Sequence, residues 1–222
     1  MIVASRISKI YSGNGNEVRA LDGVDLTIQS GEFVIIIGRS GSGKSTLLSL
    51  LGGLSRPTHG SIEIDGNDIW KMNDKDLSKL RGHEIGFVFQ FPGLMPTLDV
   101  LENVILPSSF VEKREGVGDR AIKLLDTLGI GGKVNSFPHQ ISGGELKRAS
   151  IARALINDPS IILADEPTGD LDAETEMEIM EVFRQMNDEG RTIIMVTHNP
   201  DLSSFASRVM RMDTGHIRLE AR

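Results

Sequence analysis

The stretch that most constrains this chain runs from Phe33 to Leu51, where FVIII leads into GRSGSGKST and then LLSLL. FVIII is continuously apolar, rich in β-branched residues and too short for a buried helix, which is the pattern of a parallel strand covered on both faces. Gly38, Gly41 and Gly43 interrupt it, and an apolar-periodic helix opens near Lys44. Gly38, four residues, then Gly43, Lys44 and Ser45 is the spacing of a phosphate-binding P-loop, whose glycines let successive backbone N–H groups turn inward around a polyphosphate. In that motif the lysine reaches the outer phosphates and the serine hydroxyl ligates Mg²⁺. The helix that follows adds its unpaired N–H groups and positive dipole end to the same anion. The plainer alternative is a glycine-rich strand-to-helix turn with a surface lysine; strand, loop and helix falling in that order argue against it.

The 222 residues allow one sizeable core, or one core with a smaller lobe. With 24 basic and 31 acidic residues the net charge is −7, which argues against nonspecific nucleic-acid binding, so no nucleic-acid partner is expected. There is no cysteine, so disulfides and thiolate metal sites are excluded and a cytosolic setting is compatible. No apolar run approaches the length of a membrane span, and MIVASRISKIYSG lacks the apolar stretch of a signal peptide. Any membrane role is therefore expected to come through a partner.

Loose alternation over Ile2–Ile10 and clearer alternation over Val18–Ile28 predict an antiparallel β layer ahead of the P-loop strand. Ser61–Ile64 followed by Asp65-Gly66 predicts a strand and a tight turn that closes a hairpin. Asp68–Arg81 is expected to be helical, with Ile69, Met72, Leu77 and Leu80 on its apolar face. IGFVF (85–89) is a second short buried strand, ending on Gln90. The following FPGLMPTLDVLENVILP starts irregular because Pro92, Gly93 and Pro96 break a helix. Its Phe91, Leu94, Met95 and Leu98 either fold back into the core or form a protein-docking surface. Lys113–Gly118 is expected to be a solvated connection, and Asp119–Leu128 a helix ending at Gly129.

Ser142-Gly143-Gly144-Glu145 precedes a helical pattern over Leu146–Ile156. A serine with glutamate three residues on is a capping box, yet two glycines in that first turn are costly for capping alone and suit close approach of something to the backbone. IILA (161–164) is a third buried strand with Asp165-Glu166 at its carboxyl end, where ligands of open parallel sheets bind. Asp165 is suited to support Mg²⁺ through its water shell and Glu166 to polarise an attacking water, although an acidic pair alone could simply end a strand. Ala173–Asn187 predicts a helix with Met177, Met180, Val182, Phe183 and Met186 inward. TIIMV (192–196) is a fourth buried strand with Thr197-His198 at its end, and Arg208–Leu219 reads as a closing hairpin.

Tyr11, GRSGSGKST, Gln90, ISGGE, IILADE, GDLD and His198, in that order, resemble the nucleotide-binding subunit of an ATP-binding cassette (ABC) transporter over essentially the whole chain. TLDVLENVILP and ILADEPTGDLD are similar to the subgroup serving lipoprotein-releasing and macrolide-exporter complexes. The resemblance implies an α/β fold: a P-loop NTPase, RecA-like core with a mainly parallel sheet, an antiparallel β subdomain, and an inserted α-helical subdomain. The boundaries it implies are residues 1–90 and 157–222 for the core and β subdomain and 91–156 for the helical subdomain. It also implies two subunits paired head to tail around two ATP molecules, as a homodimer or a pseudo-dimer. Tyr11 would then stack on adenine, and Gly38, Arg39, Ser40, Gly41, Ser42, Gly43, Lys44, Ser45 and Thr46 would hold the phosphates. Ser45, Gln90 and Asp165 would serve Mg²⁺, while Glu166, His198 and Lys44 would act in hydrolysis. Ser142, Gly143 and Gly144 would face the γ-phosphate of the partner, and Asp170 and Asp172 would lie in the loop crossing the interface.

The implied function is an ATPase motor for a separate membrane permease, docked through Phe91–Leu98, on the inner face of the cell membrane. Two alternatives remain at this stage: a soluble ATPase acting on DNA or the ribosome, and a regulatory scaffold of the cell-division kind. The chain departs from the family at Glu145, where the signature commonly has glutamine. A carboxylate there is expected to turn back onto the Ser142 backbone, with Lys147 and Arg148 offsetting its charge.

Overall fold

The apolar run FVIII is strand β3 (Phe33–Ile37), and all five of its residues are buried. In the computed structural model, which describes residues 1–13, 16–111 and 115–220, its side chains alternate between two cores. Phe33, Ile35 and Ile37 join one, and Val34 and Ile36 the other. Strands β7 (Ile161–Asp165) and β8 (Thr192–Thr197) divide in the same way. A strand that feeds a core on each face has no solvent-facing positions, which is why these segments show no polar alternation.

These strands lie in a six-stranded sheet of order β10-β9-β3-β8-β7-β6, with β6 at Ile85–Val88, β9 at Arg208–Asp213 and β10 at His216–Leu219. All neighbours are parallel except β10, which returns antiparallel on β9. Strands β1 (Ile2–Gly13), β2 (Asn16–Ile28), β4 (His59–Ile64) and β5 (Asn67–Asp68) form a separate antiparallel sheet of order β2-β1-β4-β5. Helix α1 (Lys44–Leu51) shares a core with both sheets through Leu47, Leu48, Leu50 and Leu51. The other face of the parallel sheet is covered by helices α3 (Val100–Ile105), α4 (Val117–Thr127), α5 (Gly143–Leu155) and α6 (Ala173–Asp188).

Helix α2 (Asp74–Glu84) starts six residues later than its periodicity predicts, because Asp68, in β5, pairs with Glu63 of β4. The Asn73 side chain caps it, accepting from the Asp76 N–H at 2.9 Å. Ile69 and Leu77 are nevertheless buried in the same core, the first from a turn and the second from the helix. Helix α4 begins at Val117 rather than Asp119, and the expected connection Lys113–Gly118 lies partly outside the described residues. On α6, Met180, Phe183 and Met186 are buried, but Met177 is exposed. The buried stripe of α6 runs through Ile179, Met180, Phe183 and Met186, and Met177 lies beyond its edge on the solvent side.

Helix α5 is fixed at both ends. At its start the Ser142 hydroxyl accepts from the Glu145 N–H at 3.3 Å and the Glu145 carboxylate accepts from the Ser142 N–H at 2.7 Å, a reciprocal capping box. That backbone donor, helped by Lys133 at 3.4 Å, holds the Glu145 carboxyl below its ordinary range. Toward its end α5 rests on β6 at Gly86, where a Cβ would lie 2.7 Å from the Ala154 carbonyl oxygen.

Gly86→Ala should therefore push α5 off the sheet and destabilise by about 1–3 kcal/mol, seen as a lower urea midpoint at unchanged slope. Glu145→Ala should cost about 1 kcal/mol or less, since the carboxylate is partly exposed at the helix start, and Glu145→Gln, which keeps an acceptor, less still. Because folding lowers the Glu145 pKa, the advantage of wild type over Glu145→Gln is complete above the unfolded value and disappears as pH falls through the folded one. Urea unfolding of the two proteins at neutral and at acid pH measures this directly.

Candidate active site

Because β3, β8, β7 and β6 are parallel neighbours, the segments leaving their carboxyl ends emerge side by side. Ile37 is level with Thr197, and Asp165 with Val196. The Gly38 N–H donates to the Thr197 carbonyl at 3.3 Å and the Glu166 N–H to the Val196 carbonyl at 3.0 Å, so three segments are joined before any ligand is considered.

In the loop after β3, a Cβ on Gly38 would sit 2.4 Å from the Met212 carbonyl oxygen. Gly43 has φ +108, and a Cβ there would sit 2.4 Å from the Ala20 carbonyl oxygen. Neither position accepts another residue without backbone movement. Gly43 caps α1 without a side-chain hydrogen bond, and the first turn of α1 carries no acidic residue. Its N–H groups are thus available to an anion. The buried Lys44 ammonium donates to the Gly38 carbonyl at 2.7 Å and the Arg39 carbonyl at 3.1 Å, and lies 3.6 Å from Glu166 Oε1.

Glu166 is buried and has φ +45, a left-handed conformation uncommon outside glycine and characteristic of functional turns. Its Oε2 is 2.9 Å from His198 Nδ1 and accepts from the His198 N–H at 3.2 Å. The carboxylate is therefore held between a P-loop cation and a strand-end imidazole. Beside it, burial pushes the Asp165 carboxyl above its ordinary value, the Ser45 hydroxyl opposes that, and the Glu166 charge adds to it. Asp165 Oδ1 is buried and has no hydrogen-bond partner.

A groove of about 800 Å³ runs over this assembly. Arg39, Ser40, Gly41, Gly43, Lys44, Ser45, Thr46, Gln90, Glu166 and His198 line it, with Val18 to Ala20 of β2 along one wall. Gly38 and Ser42 belong to the same loop but do not line the groove; Ser42 Oγ is 2.7 Å from the place of a Gly38 Cβ. Tyr11 is outside the groove, exposed on β1 opposite Val18, with the Lys9 ammonium 5.1 Å above its ring. Ser142, Gly143 and Gly144 do not line the groove either; Ser142 and Gly143 are exposed at the start of α5. Asp170 lines a smaller hollow on the other side of Glu166 and His198.

The cations assigned to Glu145 are a correction. Lys133 is its ion-pair partner. Arg148 pairs instead with Glu178, and Lys147 is buried, donating to the carbonyls of Gln90 and Glu166. Burial holds the Lys147 ammonium below its ordinary pKa, with Asp170, Asp165 and Glu166 acting the other way. Glu176 of α6 was also not visible in the sequence: it accepts from the Thr168 hydroxyl at 2.7 Å and the Asn199 amide at 3.1 Å, tying the turn after Glu166 to the turn after His198.

The hydrophobic stretch 91–98 divides. Leu94 packs on the core, while Phe91 and Met95 are exposed. The buried Asn103 side chain fixes the loop, accepting from the Met95 N–H and donating toward the carbonyls of Met95, Leu98 and Asp99. Next to it a groove of about 620 Å³ is lined by Leu54, Phe87, Phe89, Pro107, Phe110 and Arg153, among others.

A family model described as ABC transporter matches residues 21–169. The chain is 43% identical to the lipoprotein-releasing system ATP-binding protein LolD of Aquifex aeolicus, over 96% of this chain and 94% of that one. It is also 43% identical to the macrolide export ATP-binding/permease protein MacB of Rhodopirellula baltica, over 100% of this chain but 33% of that longer protein. Among solved structures, the dimeric post-hydrolysis state of the ATP-binding cassette MJ0796 bound to ADP and Pi superposes with a TM-score of 0.93 at 39% identity, covering 100% of this chain and 98% of that one. With a P-loop, an acidic strand end and a strand-end histidine converging on one groove, the chain belongs to the ABC transporter family as an ATP-binding, ATP-hydrolysing subunit.

Proposed function

We propose that Glu166 is the general base of ATP hydrolysis, and the observation that supports it is its buried carboxylate placed between Lys44 and His198. The P-loop N–H groups and Lys44 hold the β- and γ-phosphates, and the γ-phosphate competes with Glu166 for the Lys44 ammonium. Water entering beside Glu166 gives up its proton to the carboxylate as it attacks the γ-phosphorus, the bond from that phosphorus to the β–γ bridging oxygen breaks and ADP leaves, with His198 fixing the carboxylate's orientation and contacting the γ-phosphate. Tyr11 supplies a flat ring for adenine. The Ser45 hydroxyl, the Gln90 amide oxygen and the unpartnered Asp165 Oδ1 are hard oxygen donors that suit Mg²⁺. Among the described residues no cluster of three His, Cys, Asp or Glu side chains could hold a metal; Mg²⁺ at these oxygens would take part of its shell from substrate phosphates. When bound, that ion would offset charge developing on the phosphate oxygens.

The groove lacks the glycine turn Ser142–Gly144, so we take each site to be completed by that turn from a second subunit in a head-to-tail pair, homomeric or heteromeric. Residues 91–156 form the helical subdomain, and the remainder the core and β subdomain. No helix among the described residues is long and apolar enough to cross a membrane. The exposed Phe91, Phe89 and Phe110 around the apolar groove are instead the docking surface for a permease, which would hold the subunit on the inner face of the membrane.

Glu166→Gln should lower steady-state turnover by about 100-fold or more while leaving ATP binding in place, and light scattering should show an ATP-dependent dimer accumulating. Turnover at the wild-type rate would remove Glu166 from the role of base. Phe91→Asp and Phe110→Asp should abolish co-purification with the permease and leave the ATPase of the isolated subunit unchanged; an unfolded product would return those rings to a structural role.

A further inference from the structure

Helix α5 is exposed where it begins and buried one turn further on. Ser142 and Gly143 point outward from its first turn, whereas Lys147, one turn on, is buried at 5% exposure. Its ammonium donates to the Gln90 carbonyl and, at 3.4 Å, to the Glu166 carbonyl. Arg153, further along the same helix, donates to the Pro92 carbonyl at 2.6 Å and the Gly93 carbonyl at 2.8 Å. The backbone leaving β6 is thus held against α5 at residues 90, 92 and 93. An apolar residue would fill the Lys147 position without the desolvation cost of a buried charge, so packing alone does not account for a lysine there.

The acceptors do account for it. They belong to two different loops, and an ammonium with three donors can serve both at once. One of them belongs to Glu166, whose left-handed backbone must be held by its surroundings. Lys44 and His198 hold the Glu166 carboxylate from the groove side, and Lys147 holds its peptide from behind.

We propose that Lys147 is a positioning residue for hydrolysis: by clamping the Glu166 and Gln90 carbonyls to α5 it fixes the carboxylate that activates water. This rests on the reading of Glu166 as the base. A donor lost from behind Glu166 lets the carboxylate wander without touching the phosphate-binding loop, so the effect falls on turnover and not on affinity.

The test uses the intact subunit, with ATP affinity and single-turnover hydrolysis measured separately. Lys147→Met should lower the hydrolysis rate about tenfold with ATP affinity changed less than about twofold. Lys147→Gln, which keeps a donor without the charge, should recover part of the loss. In a Glu166→Gln background Lys147→Met should add nothing, because the group it positions is gone. A wild-type rate in Lys147→Met, a parallel loss of rate and affinity that Lys147→Gln does not relieve, or an additive loss in the double variant would each overturn the proposal. If Lys147→Met does not fold, Lys147→Gln carries the same rate-against-affinity comparison. Retained turnover in Glu166→Gln alone would instead overturn the assignment of the base.

Discussion

The structure depends on one steric constraint: the loop after β3 must turn its N–H groups inward in a space already bounded by other backbone. Met212 and Ala20 supply that boundary through carbonyl oxygens 2.4 Å from where Cβ atoms of Gly38 and Gly43 would lie. Met212 comes from β9 in the parallel sheet and Ala20 from β2 in the antiparallel sheet. The phosphate loop is therefore shaped jointly by the two sheets. The Gly215 N–H donating to the Ser42 carbonyl and the Asp22 N–H donating to the Gly215 carbonyl, both at 3.0 Å, complete the link. The antiparallel layer is thus a wall of the nucleotide groove as well as a cover for the core.

Charge is the second constraint. Asp165, Glu166 and Asp170 gather at one strand end, where burial first and the Glu166 charge after it push the Asp165 carboxyl above its ordinary value. Two lysines answer them from opposite sides, Lys44 from the groove and Lys147 from α5. A phosphate bound by the first of these cations would leave the second beside the acidic pair. A chain of net charge −7 can therefore still bind a polyphosphate, since the deciding field is local and made largely of backbone dipoles.

What the sequence disclosed follows from how local each signal is. The strands FVIII, IILA and TIIMV were legible because two-sided burial removes all polar positions, and the P-loop because its glycines are required within nine residues. The start of α2 was not, since the pairing of Asp68, in β5, with Glu63 of β4 outranks the helical periodicity that runs through it. Met177 shares the spacing of Met180 but not its burial, a difference set by where the helix lies on the sheet. Lys147 was misread as a counter-charge for Glu145, two residues away, because nothing in sequence places Gln90 and Glu166 next to it. The stretch 91–98 carries both of its readings, with Leu94 packed and Phe91 exposed.

Gly143 and Gly144 sit in the first turn of α5, where nothing within this chain requires a glycine at 143. A helix pays about 1 kcal/mol for each glycine relative to alanine, and internal packing usually explains such a cost. Here a Cβ on Gly144 would meet only the Thr175 methyl at 3.0 Å, and one on Gly143 would meet nothing within 4 Å. Neither glycine lies at positive φ. Capping is complete with Ser142 and Glu145 alone. Gly38 and Gly43 are demanded by this chain's own backbone; Gly143 is not, and a bare backbone at that exposed turn would suit close approach by a second molecule. A groove lined by Lys44, Glu166 and His198 but not by Ser142–Gly144, and an exposed turn with a bare backbone, are the two complementary surfaces a head-to-tail pair would bring together.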